Sequence, residues 1–250
     1  MRLLLAALLC LTPLLAIADP HAELYRSAGW AQHQVNFSKA LQAAQQRYQG
    51  NLPDALYRVM VESSNRRFAA DALQSRVAQH LREQLRDPQA AQTFFDSPLG
   101  RKVVRAELQA SASEEVALGV IPRNQASAPR QALAQRLGQA LPASAAAAEV
   151  SLAIAGIAAD SLGQMIPGLA DYQISDNLLD GPRQKLIAQI DSDLGNSLLF
   201  IYRDLNDQEL AEFVTFAESA EGQAYYQAAL GALRAALNPA PASPAPAAVD

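Results

Sequence analysis

The sequence predicts an all-α protein, an internally duplicated helical bundle of about four helices per repeat with a disordered Pro/Ala-rich C-terminal tail. Three observations carry this. Apolar residues recur every three to four positions through almost all of 22–237, the period of helices buried on one side. No stretch shows sustained period-two alternation between turn signals, the mark of strands. One pattern also occurs twice, as FFDSPLGRKVV at 94–104 and FAESAEGQAYY at 216–226: Phe, any residue, an acid, Ser, two residues, Gly, then a bulky pair.

The chain opens with MRLLLAALLCLTPLLAIA, a short basic start, an apolar run and an A-x-A exit. That is the layout of a secretory signal peptide at 1–18, cut between Ala18 and Asp19. The apolar core is too short for a membrane span. Leu9 is a poor residue to precede a lipidated cysteine, so Cys10, the one cysteine of the 250 residues, is expected to leave with the leader. The remaining chain then has no disulfide and no thiol chemistry, and rests on its apolar core. The implied location is periplasmic or secreted.

After the leader, the expected divisions are a first helical repeat at 19–117, a connecting loop at 118–129, a second repeat at 130–237 and the tail at 238–250. Leu73, Val77, Leu81 and Leu85 step by four, as core-facing positions do. Leu186, Ile190, Leu194, Leu198, Ile201 and Leu205 form one stripe, and Tyr226, Leu230, Leu233 and Leu237 another. Pro and Gly punctuate the helices at 49–54, 120–130, 166–168 and 179–183. The tail NPAPASPAPAAVD alternates Pro with small residues and has little apolar area to bury.

Each copy of the repeated pattern reads as a helix, a corner and a second helix. Asp87-Pro88 starts the first of these helices, and Asn206 with Glu209 at capping-box spacing starts its counterpart. These helices carry Phe94 or Phe216 inward and stop at Asp96 or Glu218. Ser97 and Ser219 then cap the next helix, with Pro98 at its first position in the first copy. Gly100 and Gly222 are poor helix formers at their sites, so they are expected where the two helices touch backbone to backbone. LYRSAG at 24–29 and LAQRLG at 133–138 are a weaker echo at the start of each half.

The FFDSPLGRK stretch resembles the signature of a bacterial exported family, domain-of-unknown-function family 2059. Phe94, Ser97, Pro98, Gly100 and Arg101 match its Phe-aromatic-x-Ser-Pro-x-Gly-basic motif. The second copy keeps Phe216, Ser219 and Gly222 without the Pro. The resemblance implies an exported all-α protein and no particular activity.

Chemistry is thinly signalled. The three histidines, His21, His33 and His80, fall at no metal-ligand spacing on a helix. ADSLG at 159–163 lacks the first Gly of a nucleophile elbow and sits in a helical run. VSLAIAGIAA at 150–159 is short enough to read as a core helix. No cofactor loop is present, and the reading is non-enzymatic. Loss of Arg2 with the leader would take one from the 20 basic residues set against 25 acidic, turning the net charge from −5 to −6. That balance argues against nucleic acid as a partner. Arg101, Lys102 and Arg105 form a basic patch beside the first corner that the second corner lacks, a possible binding surface for an acidic envelope protein. Asp96 and Glu218 are the one repeat-related carboxylate pair, and would meet if the two corners faced each other. The aromatic residues Phe200, Tyr202, Phe213, Phe216, Tyr225 and Tyr226 form either core or the wall of a cavity between the repeats. The leading expectation is a binding or accessory module, with a carrier of an apolar ligand between the repeats as the alternative and an enzyme of unknown type as the third choice.

Overall fold

The computed structural model describes residues 19–118, 120–165 and 176–238. The predicted leader at 1–18, the Pro-Gly break at 166–168 and residues 239–250 of the predicted tail lie outside them. The described residues form α-helices and no strand, so the protein is all-α. The first half holds α1 (Pro20–Ser27), α2 (Trp30–Tyr48), α3 (Asp54–Arg67), α4 (Ala70–Gln84), α5 (Gln89–Asp96) and α6 (Pro98–Ser111). The short α7 (Glu114–Leu118) and a stretch without regular structure at 120–127 lead to the second half. That half holds α8 (Ala128–Ala140), α9 (Ala143–Met165), α10 (Asp176–Asp191), α11 (Leu194–Ile201), α12 (Asp207–Glu218) and α13 (Ala220–Leu237).

Among the described residues, six helices per half replace the expected four or so, because short breaks interrupt apolar stripes that look continuous in sequence. Gly29 separates α1 from α2 at φ +76°, a conformation that glycine tolerates and other residues rarely do. The 186–205 stripe is cut between α10 and α11 near Asp193, and only Leu198 and Leu205 of its members are fully buried. The break expected at 179–183 is absent. Pro182 lies inside α10, so the helix runs through a residue that cannot donate its backbone bond. The echo at 24–29 and 133–138 is also uneven, since Gly29 ends a helix whereas Gly138 sits within α8 against Leu194.

Several helix starts are fixed by side-chain caps. The Asp19 side chain accepts from His21 N and pairs with Arg82 across the start of α1. Asp87 accepts from Gln89 N at α5, and Ser127 from Arg130 N at α8. At α12 the Asn206 side chain accepts from Glu209 N at 2.9 Å, while Glu209 accepts from Asn206 N at 2.8 Å, a complete capping box.

The two halves grip each other by exchange. α1 packs on α4 and α5, as α8 packs on α11 and α12. α6 stays against α2 and α5 and also reaches α11 and α12, while α13 stays against α9 and α12 and also crosses to α4 and α5. The apolar clusters show the same exchange. Tyr225, Ala228, Ala232 and Leu237 of α13 belong to the core of the first half, and Val103 and Ala106 of α6 to that of the second. Phe94, Phe216 and Tyr226 touch both. Neither half therefore closes its core alone.

Candidate functional site

The two corners have the same local geometry. Ser97 (φ −69°, ψ 160°) and Ser219 (φ −66°, ψ 158°) are extended caps, and each side chain accepts from the glycine N–H three residues on, at 3.0 Å. A Cβ on Gly100 would stand 2.0 Å from the Phe94 carbonyl oxygen, and one on Gly222 would stand 1.9 Å from that of Phe216. Backbone meets backbone at both corners, so only glycine fits. Ser97→Ala is expected to cost about 1 kcal/mol in urea unfolding, the usual value of a serine cap. Ser219→Ala is expected to cost a similar amount.

The corners meet through their rings. Phe94 stacks on Phe216 with centroids 3.8 Å apart and planes 6° from parallel. Phe95 packs on Tyr225 at 4.8 Å, and Tyr202 packs edge-on to Phe213 at 5.2 Å. Phe213, Tyr202 and Tyr225 are buried core, and Phe200 carries the Arg203 guanidinium over its face. The carboxylates of the corners do not meet. Asp96 accepts from Ser27 Oγ at 2.6 Å, and Glu218 accepts from both Arg136 Nε and Nη2. Each is drawn outward to the first helix of its own half, and the Arg136 guanidinium holds Glu218 below the usual carboxylate range.

The predicted basic patch is divided. Lys102 Nζ donates to Glu209 Oε2 at 2.6 Å and ties α6 to the start of α12, so it is engaged within the chain. Arg101 lies exposed and donates to the Asp96 carbonyl. Arg105 is exposed one helical turn further along α6.

Behind the stacked rings lies a polar group that the sequence reading passed over. Glu107 of α6 accepts a hydrogen bond from Tyr202 Oη at 2.7 Å, and His33 Nε2 stands 3.9 Å from its other oxygen. The Glu107 side chain keeps 27% of its surface exposed; partial desolvation raises its carboxyl, and the Tyr202 bond pulls the other way. Burial also lowers His33 and raises Tyr202 and Tyr226. The Tyr226 hydroxyl is buried without a hydrogen-bond partner. Glu107 was legible as an acid on the inward stripe of Val103, Val104 and Ala110.

Another acid, Glu149 of α9, is fully enclosed. It accepts from Arg234 Nε at 2.8 Å and Asn238 Nδ2 at 3.2 Å, and Arg183 Nε lies 3.1 Å from Oε1. Asn238 also accepts from Arg67, so this first residue of the predicted tail is held in place. A cleft of about 580 Å³ opens over this group, lined by His80, Asp180, Arg183 and Arg234 among others. His80 itself lies against Gly231 of α13, where a Cβ would stand 2.3 Å from Nε2. The ADSLG stretch begins on α9, so it has no strand before it and forms no nucleophile elbow. Among the described residues no His, Cys, Asp and Glu cluster has the geometry to hold a metal ion. No single helix among them is long and apolar enough to cross a membrane.

No protein-family model, curated protein or solved structure matches the chain.

Proposed function

We propose that this protein is an exported, non-enzymatic binding or accessory module that works by surface contact with an envelope protein. The observation that carries this is the filled junction between the halves. Where a carrier would keep a cavity, the Phe94–Phe216 stack and the rings around it occupy the space. The accessible features lie outside instead. Arg101 and Arg105 are exposed on α6 beside the first corner, and Val35 of α2 is 53% exposed in a shallow groove with Gln34, Lys39 and Gln74. The likeness of 94–101 to the exported family, and the leader read at 1–18, support the same assignment. The matched corners and reciprocal packing favour an origin by internal duplication.

The partner surface in this reading is the Arg101–Arg105 edge, whose charge suits an acidic protein face. Arg101→Glu with Arg105→Glu is expected to abolish retention of a protein partner that crosslinks to the wild-type chain in its own envelope fraction. Unchanged retention would remove that edge from the proposal. Extraction of a stoichiometric lipid from the purified chain would favour the carrier.

A further inference from the structure

We propose that the cleft over Glu149 binds a small carboxylate, gripped by the outward edge of the Arg234 guanidinium. The cleft lies where α4, α9, α10 and α13 come together, and its walls include His80 of α4, Gln184 of α10 and Arg234 of α13. Its volume of about 580 Å³ is in the range of small-ligand sites. Donors without a protein acceptor converge on it from two helices.

The first is Arg234. Enclosed Glu149 holds it by Nε at 2.8 Å, and the other Glu149 oxygen is taken by Asn238 Nδ2 at 3.2 Å. A guanidinium held at Nε keeps its Nη1–Nη2 edge for a second group. Among the described residues nothing accepts from that edge, and the side chain is 47% exposed. Two parallel N–H groups in one plane match the two oxygens of a carboxylate. The second is His80. Its ring reaches the cleft because position 231 has no side chain, a Cβ there standing 2.3 Å from Nε2. Glycine weakens a helix interior, so its place in α13 is accounted for by the imidazole that it admits. Among the described residues that ring has no hydrogen-bond partner.

Charge selects the ligand class. Arg183 lies with Nε 3.1 Å from Glu149 and donates from Nη1 to Asp180 at 2.7 Å. The two arginines of the cleft are thus balanced by two carboxylates. The cleft offers directed donors without an excess of positive charge. A singly charged carboxylate suits that balance, whereas a phosphate dianion would meet the repulsion of Asp180 more strongly. The C-terminal carbonyls of α13 would also repel an anion, but Arg67 covers the last of them, donating to Leu237 O at 3.1 Å. The cleft shares no residue with the Arg101–Arg105 edge, so the two readings stand or fall separately.

Acetate is the probe, titrated into the purified chain against sodium chloride of equal ionic strength. The NMR signals of the Arg234 guanidinium and the His80 ring are expected to shift to saturation, with a Kd on the order of 10 mM. Arg234→Met is expected to abolish the saturating shift at His80. Arg234→Lys keeps the charge without the paired edge and is expected to weaken binding about tenfold. Arg101→Met is expected to change nothing. Inorganic phosphate is expected to bind more weakly than acetate. Shifts that never saturate, or that chloride reproduces, overturn the site. So does saturation that survives in Arg234→Met. Tighter binding of phosphate than of acetate overturns the carboxylate assignment. If Arg234→Met does not fold, Arg234→Lys decides, and unweakened binding there overturns the proposal.

Discussion

Replacing Gly100 or Gly222 with alanine is expected to destabilise the protein, although alanine is the better helix former by about 1 kcal/mol. The added Cβ would meet a backbone carbonyl oxygen at 2.0 Å or 1.9 Å, and no rotamer relieves that. The corner must open, displacing Phe94 or Phe216 from a stack whose rings are 3.8 Å apart. Overpacking of this kind costs about 1–3 kcal/mol, more for Gly100→Leu or Gly222→Leu. The chain contains its own control. Gly195 in α11 has nothing within 4 Å of a built Cβ. Alanine there is expected to stabilise by about 0.5–1 kcal/mol. Urea unfolding of the three variants gives the comparison. Corner variants that melt like the control would show that the corners are not held by close backbone contact.

Glu149→Ala is expected to cost about 3–5 kcal/mol, the usual loss when one partner of a buried ion group is removed. The carboxylate is 0% exposed, and it joins Arg183 of α10, Arg234 of α13 and Asn238 beyond it. Without it, Arg183, itself only 16% exposed, is left with Asp180 as its ion partner. Arg234→Met should cost less, because that side chain is 47% exposed and water can replace part of its contact. Hydrogen exchange should show the loss first at the C-terminal turns of α13, where Arg67 and Glu149 hold Leu237 and Asn238. A change below about 1 kcal/mol in Glu149→Ala would mean that apolar packing of α13 on α4 holds that end by itself.

What could be read without coordinates was local. Helical class follows from apolar period, and the corner ends follow from caps whose partners lie two or three residues away. The predicted ends at Asp96 and Glu218, the caps at Ser97 and Ser219, and the Asn206–Glu209 box all agree with the structure. Helix number was less legible, because a stripe such as Leu186–Leu205 keeps its period across the break near Asp193. Pro182 misled in the opposite sense, since proline penalises a helix interior without forbidding it.

Partners distant along the chain were not readable. Lys102 and Glu209 lie 107 residues apart, and nothing in either segment distinguishes a paired lysine from a free one. The same holds for Glu107 and Tyr202, and for the drawing apart of Asp96 and Glu218 toward Ser27 and Arg136. A cap is settled by one turn of backbone, so composition and spacing suffice for it. Whether a buried acid is neutral, paired or catalytic depends on which helices cross above it. Here that was settled only when α9, α10 and α13 came together and set Arg183 and Arg234 against Glu149.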